Sequence, residues 1–207
     1  MGKPSKRRTQ KAVLRRKAKS KMARSNLPRV RLPAVPPEAP VYECLLPRDL
    51  DEFGIGNAVI ARELPSGEIA IVVFLVDIFC LGVKDIALGV FGVSEYHEKL
   101  RRFNASASFE KVSPATVRAL VEGAVEYADR FGLPPHQDYD LACRIFAGID
   151  PALADRALAY GKDGKPFYVS GPRDTPGKTR RVLAALERAC GPGEFDYMVR
   201  IGVGFEE

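Results

Sequence analysis

Residues 69–85 read IAIVVFLVDIFCLGVKD, and how that stretch is buried decides the fold. From 69 to 83 every side chain is apolar or small except Asp77. A strand of this composition is covered on both faces, as the central strand of a sheet is. A bilayer crossing needs about 20 consecutive apolar residues, and this run is too short and too interrupted for one. The stretch therefore predicts the centre of a core. Asp77 is the exception, because an ionised carboxylate in a core must find hydrogen-bond donors or a cation, or take up a proton.

Working outward, residues 57–63 and 68–76 are β-rich and separated by Leu64-Pro-Ser-Gly67, the pattern of an antiparallel hairpin whose second strand is the central one. Before it, residues 41–46 (VYECLL) predict a short edge strand, and 47–56 a loop or short helix. After it the chain leaves through Gly82. Residues 86–93 carry Gly89 and Gly92 in an apolar run whose state is open. Ser94 caps a short helix over 95–103, with Tyr96, Leu100 and Phe103 on one side. Ser113-Pro114 opens the clearest helix, where Val117, Leu120, Val121, Ala124, Val125 and Ala128 recur at helical spacing until Gly132 and Pro134 stop it. Asp138 starts another, with Leu141, Ala142, Ile145 and Phe146 inward, and Asp150-Pro151 a further one ending at Gly161. Lys162-Asp-Gly-Lys165 is a turn. Residues 166–170 form a strand whose proline places it at a strand start or an edge. Thr175-Pro176 begins the last helix, with Val182, Leu183, Leu186 and Ala189 buried, and 195–203 closes the chain as a strand. The expected fold class is α+β, a small mixed or antiparallel sheet with about five helices, preceded by a disordered basic N-terminal arm. The boundaries are an arm over 1–31, a Pro-rich spacer over 32–40 that holds the arm away from the body, and one α+β domain over 41–207.

Charge is divided sharply between these parts. Residues 1–31 hold thirteen Lys or Arg and no acid, the first acidic residue being Glu38. The rest carries nineteen basic against twenty-six acidic residues, a net charge of −7. A flexible cationic segment gains free energy by releasing counterions from a phosphate backbone. Nucleic acid is therefore the expected partner, RNA or a ribonucleoprotein ahead of DNA because arginine-rich segments commonly fold on RNA. The contacts fall to Lys3, Lys6, Arg7, Arg8, Lys11, Arg15, Arg16, Lys17, Lys19, Lys21 and Arg24. No aromatic residue interleaves them, so base stacking is not indicated. Cys44, Cys80, Cys143 and Cys190 are scattered without a C-x-x-C pair, which predicts reduced, mostly buried thiols and a cytoplasmic protein, or a nuclear one in a eukaryote. No secretory leader and no membrane span are expected.

Two clusters in the body carry chemistry-bearing residues. Asp77, Cys80, Lys84 and Asp85 gather at the exit of the central strand, with His97 as a further member; a nearby Lys lowers a thiol pKa, so the group would suit an activated Cys, against the plainer reading of core packing and a turn cap. Residues 166–183 (PFYVSGPRDTPGKTRRVL) have the strand, Gly-rich turn and helix of a phosphate loop, but Gly171 and Gly177 enclose five residues where the motif has four, Pro176 deletes an amide, and Asp174 puts a negative charge in the cradle. A nucleoside triphosphate site is thus disfavoured. Arg173, Lys178, Arg180 and Arg181 would instead meet a nucleic-acid phosphate at the helix start. His136-Gln-Asp138 is too small for a metal site and reads as a helix-start polar cluster. No metal and no cofactor are called for. The leading expectation is a non-enzymatic nucleic-acid-associated protein. The alternatives are an enzyme with its site at the Asp77 strand exit, localised by the arm, or a protein-interaction module whose arm is an address.

Overall fold

The computed structural model describes residues 35–104, 108–172 and 174–199. The basic arm, Arg173 and the last residues of the expected closing strand lie outside the described residues. The chain runs β1 (Val41–Pro47), α1 (Leu50–Phe53), β2 (Ile55–Glu63), β3 (Ile69–Asp77), β4 (Gly82–Phe91), α2 (Val93–Asn104), β5 (Phe109–Lys111) and α3 (Pro114–Asp129). It continues through α4 (Tyr139–Ala142), β6 (Phe167–Val169), α5 (Pro176–Cys190) and β7 (Asp196–Met198). The first five strands form an antiparallel sheet in the order β4-β3-β2-β1-β5, while β6 and β7 pair in parallel as a separate two-stranded sheet. This is the expected α+β class.

The β2–β3 hairpin keeps its register from Ile55 opposite Asp77 to Glu63 opposite Ile69. All nine residues of β3 are buried, for a simple reason. Ala70, Val72, Phe74 and Val76 cluster with Val117, Leu120, Val121 and Ala124 of α3, and the Phe74 ring stacks on Phe146. Ile69, Ile71 and Val73 cluster instead with Tyr96 of α2, joined by Leu100 and Phe103. A helix on each face makes an antiparallel strand read as a continuous apolar run, and each fully buried Leu or Val contributes about 1.5–3 kcal/mol. Helix α3 starts where Ser113 and Pro114 place it, with the Ser113 side chain accepting from the Thr116 amide at 3.2 Å.

Several expectations need correction. β1 is interior, since Leu45, Leu46 and Pro47 pair with Lys111, Glu110 and Phe109 of β5, a three-residue strand too short to announce itself. β2 occupies the centre of the sheet, with β3 beside it. The open run after Gly82 is strand β4, and α2 begins at Val93, ahead of Ser94. The segment after Asp150 is confined to a 3-10 turn, Pro151–Leu153. Beyond it Asp155 accepts from the Thr116 hydroxyl, Arg156 pairs with Glu110 and Tyr160 donates to the Ala119 carbonyl, so side-chain bonds to α3 and β5 replace helical backbone bonds. The Asp138 helix is one turn, α4, followed by a 3-10 turn, Cys143–Phe146. Among the described residues no helix is long and apolar enough to cross a membrane.

The described part of the Pro-rich stretch, residues 35–40, does not stand away from the body. Val35 and Ala39 are buried in the core. Arg62 secures this segment: its buried guanidinium donates to the carbonyls of Ala39 (2.9 Å), Pro37 (2.9 Å), Ile145 (3.2 Å) and Ala147 (2.7 Å). One planar fork thereby ties the chain before β1 to the turn after α4. Arg62→Met should leave four carbonyls without their donor and lower unfolding free energy by about 3 kcal/mol. Urea denaturation measures this, and a midpoint equal to the wild type would refute it.

Candidate functional site

Asp77 ends β3 with its side chain fully buried. Its Oδ1 accepts from the amides of Phe79 and Cys80, each at 3.2 Å, and so folds residues 78–81 into a tight connection. Gly82 completes it with φ 61°, and a Cβ there would lie 2.9 Å from the Ala124 carbonyl of α3. The pairing of β3 with β4 then slips from Val76–Val83 to Leu75–Asp85, which makes Lys84 the extra residue of a bulge. Its ammonium lies 3.8 Å from Asp77 Oδ2, and the Lys84 side chain is only 10% exposed.

The same connection docks the rest of the chain. The Gly161 amide donates to the Ile78 carbonyl and the Phe167 amide to the Phe79 carbonyl, at 2.8 and 2.9 Å. Cys80 and Leu81 pack with Ala128, Leu133, Tyr168, Val182 and Leu186. That packing lays β6 and α5 beside Lys84. Thr175 caps α5 by accepting from the Lys178 amide at 3.2 Å. Just before it Asp174, 5% exposed, accepts from the Gly171 amide (2.7 Å) and the Tyr168 hydroxyl (3.0 Å) and pairs with the Lys178 ammonium at 2.9 Å. Burial works against ionisation of Asp174, but the Gly171 amide, the Lys178 bond and the charges of Lys84 and Lys178 together hold its carboxyl below the ordinary 3.8. Burial pushes the Tyr168 hydroxyl up, so it remains a donor.

The loop after α3 supplies the remaining wall. The His136 amide donates to the Val83 carbonyl at 2.9 Å, fixing that loop along the start of β4. His136 Nδ1 accepts from the Asp138 amide at 3.2 Å, which puts the proton of a neutral ring on Nε2, 3.8 Å from Asp85 Oδ1. Between this loop, β4 and α5 lies a cavity of about 430 Å³, a size usual for small-molecule sites. Leu81, Val83, Leu133, Pro134, Pro135 and Val182 give it apolar walls, and Lys84, His136, Lys178 and Arg181 are its ionisable lining. The carboxylates of Asp77, Asp174 and Asp85 do not line it.

Two clusters that lie about a hundred residues apart in sequence therefore meet. Asp77, Lys84 and Asp85 come from the strand exit, and Lys178 and Arg181 from the Gly-rich segment. Arg180 is exposed and off the wall. Cys80 is fully buried among apolar side chains, and His97 sits on α2 bonded to the Tyr42 hydroxyl at 2.9 Å. Burial also pushes the Cys44 thiol up to about 12 and the Cys143 thiol up to about 11. Sequence reasoning missed His136 as cavity lining and Asp174 as an organising carboxylate. The Asp174–Lys178 spacing of four on a helix start was the available signal. Compared with protein-family models, curated proteins and solved structures, the chain matches none.

Asp77→Asn keeps an oxygen for the Phe79 and Cys80 amides and should cost about 1 kcal/mol. Asp77→Leu removes the acceptor of both amides and an ion-pair partner of Lys84, and should cost about 3 kcal/mol or more. Thermal or urea unfolding of the two variants checks the order, and equal costs would show that the turn amides do not depend on Asp77.

Proposed function

We propose that this protein is an enzyme whose site is the cavity at the exit of β3, and that its basic arm concentrates it on a polyanion. One observation carries the reading: Lys84, a nearly buried ammonium, lines a cavity while two buried carboxylates, Asp77 and Asp174, act on it from behind. A charge held this way in a low-dielectric pocket is preorganised, so it can stabilise negative charge that develops on a substrate without first reorienting. Lys178 and Arg181 on α5 and His136 on the loop line the same cavity and suit an anionic substrate. The burial of Cys80 argues against thiol chemistry, because a nucleophile must reach its substrate and this one is sealed in. The buried thiols agree with a reducing, cytoplasmic setting.

The test is to incubate the full chain with a metabolite extract and follow depletion by untargeted mass spectrometry. At least one anionic metabolite should be consumed, and the rate should fall at least about tenfold in Lys84→Arg, which keeps the charge for Asp77 but moves its donors. Circular dichroism would establish that this variant is folded. If no metabolite changes, or if Lys84→Arg is as active as the wild type, the enzyme reading fails.

The arm has a separate expected outcome. Deleting residues 1–31 removes thirteen positive charges and leaves a body of net charge −7, which has no general attraction for phosphates. In a salt titration against unrelated RNA and DNA sequences, the full chain should bind with affinity that falls steeply as salt rises, and the shortened chain should bind little at any salt. Undiminished binding by the shortened chain would transfer the anchor to the body.

A further inference from the structure

We infer that the cavity takes a small phosphomonoester with an apolar body; this rests on the site proposed above and names its substrate class. Every ionisable side chain lining the cavity is a lysine, an arginine or a histidine. The nearby carboxylates do not line it and have partners of their own: Asp77 the turn amides and Lys84, Asp174 the Gly171 amide, Tyr168 and Lys178, Asp85 the Ile86 amide, while Asp85 and Asp138 flank the His136 ring at 3.8 and 3.7 Å. The ionisable side chains that an anion meets on the wall are therefore basic ones.

The number of charges then separates a phosphate from a carboxylate. Lys84 and Lys178 are each balanced by a buried carboxylate, while Arg181 has no ion-pair partner among the described residues. A phosphomonoester carries about −1.5 to −2 near neutral pH and has three terminal oxygens to share. Arg181 can grip two oxygens with its planar fork, and Lys178 and Lys84 act as point charges on the third. A carboxylate would leave the lysines unused. A triphosphate does not suit the turn before α5, since Pro176 removes an amide from it and Asp174 already fills it.

Beside the cations, Leu133, Pro134, Pro135 and Val182 give the cavity apolar surface. A volume of about 430 Å³ leaves room for a ring-sized apolar group beyond the phosphate. Bare inorganic phosphate would leave this wall wet.

The experiment is isothermal titration of the full chain with phenyl phosphate, benzoate, phenol and inorganic phosphate. Phenyl phosphate should bind at least about tenfold more tightly than each of the others. Arg181→Ala and Lys178→Ala should each weaken it roughly tenfold to a hundredfold, the loss expected for one charge-assisted contact. Arg180→Ala, off the wall on the same helix, should leave it unchanged. A second arm compares 5′-phosphorylated and 5′-hydroxyl RNA of one sequence. A preference for the phosphorylated end assigns the phosphate to a nucleic-acid terminus, and equal binding of the two RNAs with phenyl phosphate still bound assigns it to a free metabolite. Benzoate binding as tightly as phenyl phosphate, no binding of phenyl phosphate, or no effect of Arg181→Ala overturns the inference. Should it fall while Lys84-dependent consumption of some metabolite persists, the site stands and only its ligand class is wrong. Failure of both removes the site itself.

Discussion

The Asp77 carboxylate is the constraint on which the remaining structure depends. A strand buried on both faces cannot simply stop, because the backbone amides that follow it are also buried and need acceptors. Asp77 Oδ1 supplies one acceptor to two of them, Phe79 and Cys80. The turn so formed presents the carbonyls of Ile78 and Phe79 to Gly161 and Phe167, and thereby fixes where the C-terminal third of the chain lies. The other oxygen meets Lys84 and sets the ammonium at the cavity. One side chain thus terminates a strand, docks β6 and positions a charge.

Coverage of the sheet on both faces also explains the form of the polar interior. With α3 on one face and α2 on the other, polar groups buried in the central strands need partners within the protein, because little solvent reaches them. Arg62 meets that demand with four carbonyls from two loops. It is a charge solvated by backbone dipoles, and it makes the residues ahead of β1 part of the body.

The residues whose environment is set by near neighbours were legible in the sequence. The β2–β3 hairpin, the Ser113 and Thr175 caps, the Lys162–Lys165 turn and the burial of Asp77 all follow from local chemistry and periodicity. What escaped depends on partners distant in sequence. β1 reads as an edge strand because β5, Phe-Glu-Lys, carries no strand signal of its own and becomes a strand only by pairing. The segment after Asp150 has a helical start, but Thr116, Glu110 and the carbonyl of Ala119 draw its side chains outward from a helical path. For the site, Asp77, Lys84, Lys178 and Arg181 could be named one cluster at a time, while their meeting could not. That meeting is made by Tyr168, Val182 and Leu186 packing on Cys80 and Leu81, five apolar or aromatic residues with no pattern linking them. His136 was hidden for the same reason, being placed by a backbone bond to Val83.

The arrangement of charge suggests how an acidic body and a basic arm would act together. Beyond about 8 Å, ionic strength near that of a cell screens exposed charges, so long-range attraction follows net charge and falls to the arm. The cavity cations are largely balanced by Asp77 and Asp174 and exert little pull at a distance. At contact the balance changes, because the carboxylates are held behind the wall by the turn amides, Gly171 and Tyr168, and cannot follow an anion into the cavity. In the proposed reading, the arm raises the local concentration of polyanion without selecting among anions. Selection is left to Arg181, Lys178 and Lys84, whose fixed positions depend on the Asp77 turn. Loss of that turn would therefore abolish recognition while leaving the attraction of the arm intact.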